Sequence, residues 1–167
     1  MLGWGQRRQQ QVSEILYGNA VEMARAPSFF ADHGVADTVD GRFDALALVV
    51  ALIMRRLKDC GEAGQDLSQQ LFDTMFADMD LSLREMGAGD IGVAKRVRVM
   101  AEGFMGRLDA YASALDSRDR VALGAALQRN LLRGDGEAGD PLIDFVLGLE
   151  ARIADIDAEL LLKGRLG

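Results

Sequence analysis

The segment 67–89, LSQQLFDTMFADMDLSLREMGAG, carries apolar side chains at the spacing of an amphipathic helix. At about 100° per residue, one face of that helix holds an unbroken apolar stripe: Leu71, Phe72, Met75, Phe76, Met79, Leu83 and Met86. Because such a stripe has to be buried, the segment predicts a core helix of about 20 residues. Ser68 or Asp66 would cap its start, and Gly87 would end it. Leu81 points directly away from the stripe, which a fully solvated outer face would not require.

The rest of the chain also has helical periodicity, and no segment favours a β-strand. Apolar residues recur at three- and four-residue spacings in the segments 12–25, 42–60, 91–115, 119–132 and 141–163. Within the second of these, the run 45–54 is apolar on nearly all sides, which is typical of a central helix covered by its neighbours. The sequence therefore predicts an all-α, compact single domain of about six helices, with a buried central helix near residues 42–60.

The chain ends are expected to differ from this core. Residues 1–11 are polar and predict a flexible N-terminal segment ahead of one helical domain over residues 12–167. The GDGEAG stretch at 134–139 predicts a linker, and Pro141 suits the first position of a last helix. Residues 140–163 are therefore a candidate C-terminal arm through which an oligomer would form. No secretory signal is recognisable, and the longest apolar run, about ten residues, is half of the ~20 that span a membrane.

Composition and motifs argue against several classes of function. A net charge of −7 disfavours a nucleic-acid binder. The single cysteine excludes an intramolecular disulfide framework and a cysteine-rich zinc site. His33 has no nucleophile beside it in the sequence, and Asp73 and Asp78 lie about 140° apart on their helix, so one metal ion could not use both. We expect no enzymatic activity, no catalytic residues, no cofactor and no metal.

One outer helix face nevertheless calls for an explanation. Gly92, Val99, Gly103 and Gly106 cluster on the side of the 91–115 helix opposite its core stripe. Each interior glycine costs about 0.5–1 kcal/mol relative to alanine, so the cluster indicates close approach of another helix. Two interpretations stay open at this point. Either the fifth or sixth helix of the protein covers this face, or a guest helix does, as small residues allow between membrane helices.

Charged residues outside the core stripes predict surface contacts. Asp80 and Arg84 have the spacing of an i,i+4 ion pair. Asp37, Asp40 and Asp44, together with Arg42, would cap helix starts or contact a partner. The outer side of the 91–115 helix carries Lys95, Arg96, Arg98 and Arg107; solvation explains such a face, and contact with anionic lipid is the alternative.

Three segments together resemble one protein family. These are FDTMFADMD followed by LREMGAGD, the upstream ARAPSFFADHGVADTVDGRFD, and KRVRVMAEGFMGRLDAYASAL. They are similar to the ubiquinol–cytochrome c chaperone family, the assembly factors of respiratory complex III, over roughly residues 24–130. The resemblance implies a small, helical, non-enzymatic protein that binds newly made cytochrome b. Mitochondrial members work with a second small protein near the ribosome, and we expect this chain to differ from them in having no presequence and no long N-terminal extension.

The resemblance and the residues together give one expected function. We expect a bacterial-type chaperone, cytoplasmic or at the cytoplasmic face of the inner membrane, whose client is cytochrome b. The expected partner-binding residues are Phe29, Phe30, Asp37, Asp40, Arg42, Asp73, Asp80, Leu81, Arg84, Val99, Gly103 and Gly106. Two alternatives remain: an isoprenoid or quinone carrier or enzyme, in which Asp73 and Asp80 converge on a deep apolar pocket, and an adaptor that dimerises through its last helix.

Overall fold

The computed structural model describes residues 3–87 and 89–167, without the side chain of Asp90. Throughout this described part the chain forms helices and no strands, which confirms the all-α prediction. The α-helices are α1 (Trp4–Ala24), α2 (Val39–Leu57), α3 (Gly61–Glu85), α4 (Asp90–Asp116), α5 (Arg120–Asn130), α6 (Asp140–Ala154) and α7 (Ala158–Leu161). A short π-helical turn, Ser28–Asp32, connects α1 to α2. No helix within these residues is long and apolar enough to cross a membrane.

Helix α2 is the centre of the molecule, as its nearly continuous apolar run predicts. It packs against α1, α3, α4 and α6, and every residue from Phe43 to Ile53 is buried. The helix begins at Val39, somewhat earlier than residue 42, because the Thr38 hydroxyl accepts a hydrogen bond from the Gly41 amide at 3.1 Å and caps the first turn.

Helices α3 and α4 pack on α2 and on each other through the predicted stripes. The rings of Phe72, Phe76 and Phe104 join the two helices, with centroids 4.7–5.9 Å apart. The expected start of α3 near residue 67 is wrong: the helix begins at Gly61. Burial of Met86 is also wrong, since the helix ends at Glu85 and Met86, one residue beyond it, is 65% exposed.

The C-terminal helices differ most from the sequence expectation. The predicted helix over residues 141–163 is two helices, because the chain leaves helical geometry after Ala154 and Asp157 caps a separate α7. The apolar side of α6 is packed in the core instead of lying on a free arm, with Leu142, Val146, Leu149 and Ile153 buried. The apolar pattern of the segment 119–132 predicts that Val121, Leu123 and Leu127 point inward. Leu123 and Leu127 are buried in α5, but Val121 is 84% exposed, so the prediction is wrong for that residue.

Helix α1 is longer than its periodicity predicts. The expected start at Val12 is wrong, since the helix begins at Trp4, where the Gly3 amide donates a hydrogen bond to the Gln6 side chain at 3.0 Å. Its first two turns, residues 4–11, are exposed, so no apolar stripe marks them in the sequence. Met1 and Leu2 lie outside the described residues.

Candidate functional site

A large groove crosses one side of the molecule. Its volume is about 1190 Å³. Its walls come from the C-terminal halves of α1 and α3, the π-helical turn, the first turns of α2, and the middle of α4. We call it the surface groove. Because these elements are far apart in the sequence, only the packing of α1, α3 and α4 around α2 brings them together.

The wall of the surface groove formed by α3 and α4 is apolar and rich in methionine. Met79 and Leu83 from α3 line it, together with Met86 just after α3 and Val99 and Met100 from α4. Met86 is 65% and Val99 is 59% exposed, so apolar surface is open to solvent there. Methionine is unbranched and polarisable, and it adapts to apolar partners of different shapes.

The glycines of α4 are not covered by another part of this protein. A Cβ atom added at Gly92, Gly103 or Gly106 would meet no heavy atom within 4 Å. The interpretation in which α5 or α6 packs on this face is therefore wrong. Of these glycines, Gly103 lines the surface groove beside Val99, whereas Gly92 and Gly106 do not.

An ion cluster contributes Arg107 and Arg133 to the lining of the surface groove. The buried carboxylate of Asp44, in α2, accepts a hydrogen bond from Arg107 at 2.7 Å and two from Arg133, at 2.6 and 3.1 Å. Arg107 also lies over the ring of Phe43, with its guanidinium carbon 5.4 Å from the ring centroid. The hydrogen bond to Asp44 raises the pKa of Arg133 above its ordinary value. These charges are thereby fixed in position.

A hydrogen bond between α1 and α3 is a second polar contact in the lining of the surface groove. The Tyr17 hydroxyl donates a hydrogen bond to Asp78 at 2.6 Å, and both residues line the surface groove. Burial raises the pKa of Tyr17, and the Asp78 carboxylate raises it further. Tyr17 therefore stays neutral and keeps donating to Asp78 across the physiological range.

The structure brings half of the expected partner-binding residues together. Phe30, Asp37, Asp40, Arg42, Val99 and Gly103 all line the surface groove. At its rim Arg42 donates to Asp37 at 2.8 Å, in an ion pair in which both side chains are about two-thirds exposed. Asp40 lies 4.0 Å from Arg133. The rim is therefore charged and the α3–α4 wall apolar.

The other six expected partner-binding residues lie outside the surface groove. Phe29 is fully buried and packs edge-on against Phe145 at 5.0 Å. Asp73 accepts a hydrogen bond from Gln69, and Asp80 pairs with Arg84 at 2.9 Å as predicted. Leu81 is 55% exposed, so it does point away from the core. None of the residues Phe29, Asp73, Asp80, Leu81, Arg84 and Gly106 lines the surface groove.

Sequence reasoning missed several lining residues. Tyr17, Phe43, Met79, Met100, Arg107 and Arg133 line the surface groove, but their apolar or charged character fits an ordinary core stripe or solvated face equally well. The two partners of Asp44 lie 63 and 89 residues away in the sequence, so no local spacing could reveal the cluster. A glycine-bearing helix face beside exposed apolar residues was the one usable signal.

The family of the chain is decided by a match to a family model. The model described as ubiquinol–cytochrome C chaperone matches residues 31–166, which include α2 to α6 and hence most of the surface groove. The chain belongs to the ubiquinol–cytochrome c chaperone family. The predicted resemblance is thereby confirmed, and with it a role as a chaperone and assembly factor for ubiquinol–cytochrome c reductase.

Two individual proteins support the same assignment. The chain is 29% identical to the ubiquinol-cytochrome-c reductase complex assembly factor 1 of Xenopus laevis, over 90% of this chain and 77% of that protein. It is also similar to a crystal structure of the Cbp3 homolog from Brucella abortus, with a TM-score of 0.81 and 36% identity. That match covers 95% of this chain and 88% of the other.

Proposed function

We propose that this protein is a non-enzymatic chaperone that binds newly made cytochrome b and holds a transmembrane helix of that client in the surface groove. The family assignment supports a role in assembling ubiquinol–cytochrome c reductase. The observation that carries the client site is Gly103, an uncovered helix glycine beside the exposed Val99 and the methionines of the groove. Because the client is a membrane protein, we further propose that the chaperone works at the cytoplasmic face of the inner membrane.

The size of the surface groove is compatible with a bound helix. A helix with its side chains is about 10 Å wide, and a transmembrane helix of about 20 residues is about 30 Å long. The surface groove has a volume of about 1190 Å³ and is open to solvent, so a client helix would lie with one side against its walls and the other side uncovered.

The chemistry of the walls also suits an apolar helix that has left the ribosome but not yet entered the membrane. Met79, Met86 and Met100 provide a deformable apolar surface. At Gly103 a guest backbone can approach closely, as at the small residues of membrane helix pairs. The charged rim of Asp37, Asp40 and Arg42 faces water and would surround the bound helix without touching its apolar side.

The two alternative functions have less support. A prenyl or quinone site would need Asp73 and Asp80 to converge on the cavity, and neither lines the surface groove. Among the described residues, no three His, Cys, Asp or Glu side chains are close enough to share a metal ion. The apolar stripe that an adaptor would use for dimerisation is buried on α6.

A pair of glycine substitutions on one helix tests the proposal. Gly103→Leu places a side chain in the surface groove, whereas Gly106→Leu places one in open space outside it. Both variants should fold and gain about 0.5–1 kcal/mol of stability, because leucine is the better helix former. Overfilling the groove should weaken client capture about tenfold in Gly103→Leu alone.

The measurement is co-purification of newly made cytochrome b with each variant, together with the amount of assembled complex III. Thermal unfolding checks that both variants are folded. If Gly103→Leu captures cytochrome b as well as Gly106→Leu does, the client does not bind in the surface groove. If no variant, including the unmodified protein, captures cytochrome b, the client itself is wrongly assigned.

A further inference from the structure

The C-terminal tail packs along α1 on a side of that helix that faces away from the surface groove. Gly164 lies against the Val12 carbonyl and the side chain of Ile15, and its own carbonyl accepts a hydrogen bond from Asn19 at 2.8 Å. Arg8, Val12, Ile15 and Asn19 fall within about 60° on the helix. Tyr17 and Val21, which line the surface groove, lie roughly opposite. The tail therefore runs beside one face of α1 while the other face borders the groove.

The contact between the tail and α1 gathers positive charge in an acidic protein. Arg7 and Arg8 on α1 are joined by Lys163 and Arg165 on the tail, and all are exposed. Within residues 3–87 and 89–167 none of these four side chains forms an ion pair. Three acidic residues lie nearby: Glu14 on α1, Asp66 of α3, which lines a small pocket together with Arg8, and Glu159 on α7. The chain as a whole carries a net charge of −7, so this local excess of positive charge is opposite in sign to the net charge of the protein.

Exposed apolar side chains border the same cations. Trp4 is 84% exposed, Ile15 is 52% exposed, and Leu160 of α7 is 39% exposed. Tryptophan has an apolar ring with one polar N–H and is enriched where membranes meet water. We call Trp4, Arg7, Arg8, Ile15, Lys163 and Arg165 the terminal patch.

We propose that the terminal patch binds the surface of a bilayer containing anionic lipid. The cations would contact lipid phosphates, and Trp4 would insert among the headgroups. Charge complementarity selects this occupant, because four unpaired cations with an exposed tryptophan suit a negatively charged interface better than an apolar protein face. Since Trp4, Arg7 and Arg8 lie in the N-terminal half of α1, whereas the surface groove borders its C-terminal half from Tyr17 onwards, lipid binding leaves the groove free for a client.

Vesicle flotation of the full-length protein tests the proposal. We expect the protein to float with vesicles of equal parts phosphatidylcholine and phosphatidylglycerol, to stay behind with pure phosphatidylcholine vesicles, and to be released by added salt. The sequence contains one tryptophan, so the emission of Trp4 itself reports insertion. It should shift to shorter wavelength with the phosphatidylglycerol vesicles only.

Charge removal gives the matched comparison. Each terminal-patch cation replaced by alanine should weaken partitioning about fivefold, so Arg7→Ala/Arg8→Ala and Lys163→Ala/Arg165→Ala should each weaken it by roughly 25-fold. Lys95→Ala/Arg98→Ala removes the same charge from exposed, unpaired positions on the described part of α4 and should bind like the unmodified protein. Circular dichroism confirms that each variant is folded.

Three results would overturn the proposal. The first is full binding by the variant that lacks all four cations, and the second is greater loss in the α4 control than in the patch variants. The third is binding to an RNA duplex that is weakened by the same patch substitutions, combined with no change in Trp4 emission when vesicles are added. That result would assign the patch to nucleic acid. Capture of cytochrome b in detergent should be unaffected by patch substitutions, so this test is independent of the groove.

Discussion

Asp44 shows how one buried residue shapes the surface groove. Its side chain is fully buried, and its two partners are only partly so, with Arg107 17% and Arg133 50% exposed. Burying a carboxylate is costly unless it is fully hydrogen-bonded, and here Arg107 and Arg133 together supply three hydrogen bonds. Arg133 reaches this position with a φ of 53°, in the left-handed region that side chains disfavour. The ion cluster thus offsets backbone strain in the loop after α5.

Asp44→Ala should therefore destabilise the fold strongly. It leaves Arg107 partly buried without its carboxylate, and removing one partner of a buried ion pair costs about 3–5 kcal/mol. The matched control is Asp37→Ala, which breaks an ion pair whose side chains are both about two-thirds exposed, and which should change stability by less than about 1 kcal/mol. Urea unfolding of both variants measures the difference. Equal effects would mean that the Asp44 cluster does not hold the groove wall in place.

At the scale of the element, glycine has two unrelated roles that look alike in the sequence. Gly41 in the first turn of α2 is buried, and a Cβ atom there would lie 1.8 Å from the carbonyl oxygen of Ala36. The loop before α2 passes so close to the helix that only glycine fits. Gly103 in α4, by contrast, has open space around it. The close contact with Ala36 explains why residue 41 is glycine, and no such contact explains the glycine at position 103.

Gly41→Ala and Gly103→Ala should consequently have effects of opposite sign. The first forces the Ala36 backbone away from α2 and should cost about 1–3 kcal/mol or more. The second should stabilise the protein by about 0.5–1 kcal/mol. Thermal unfolding of the two variants checks both signs. A stabilised Gly41→Ala variant would show that the loop over residues 33–38 moves aside at little cost.

Elements with a clear apolar pattern could be predicted from sequence, and boundaries that depend on tertiary contacts could not. Helix α2 was predictable because its run is apolar all round, and the α4 stripe around Phe104 and Tyr111 was predictable from its period. The start of α3 was not, since Gly64 is buried against the Leu57 carbonyl in a tight turn. The break between α6 and α7 was not either, because the apolar period of Ile153 and Ile156 continues through it.

At the scale of the whole molecule, the surface groove is a product of assembly. Half of the expected partner-binding residues line it: Phe30, Asp37, Asp40 and Arg42 lie within a family signature, and Val99 and Gly103 lie on the glycine-bearing face of α4. The lining also includes Tyr17, Met79, Met100 and the ion cluster. Each of these has an ordinary local pattern. Only the packing of α1, α3 and α4 around α2 leaves a space between them. A sequence can indicate that a helix face is uncovered, but the residues of other helices that line the same groove are determined by the complete fold.

The stability of the whole fold should also depend on pH above about 10, through its two tyrosines. Tyr17 and Tyr111 are 9% and 2% exposed, and burial raises the pKa of each above the ordinary value of 10.0. In the unfolded chain both would release protons near pH 10, whereas in the fold both stay protonated. Above pH 10 the unfolded state therefore binds fewer protons than the folded state, and the free energy of unfolding falls as the pH rises. Below pH 10 both states keep the two protons, so this contribution to stability is fully present.

The expected slope is about 1.4 kcal/mol per pH unit for each tyrosine. Tyr17→Phe should remove one such contribution, and Tyr17→Phe/Tyr111→Phe should remove both, although loss of the hydrogen bond to Asp78 lowers the stability of both variants at neutral pH by about 1 kcal/mol. Urea unfolding from about pH 9 to about pH 11 measures the slopes, and comparing variants cancels the titration of cysteine and lysine, which all of them share. An unchanged slope in the double variant would mean that these hydroxyls ionise in the fold as readily as in the unfolded chain, and that the wall between α1 and α3 is open to water.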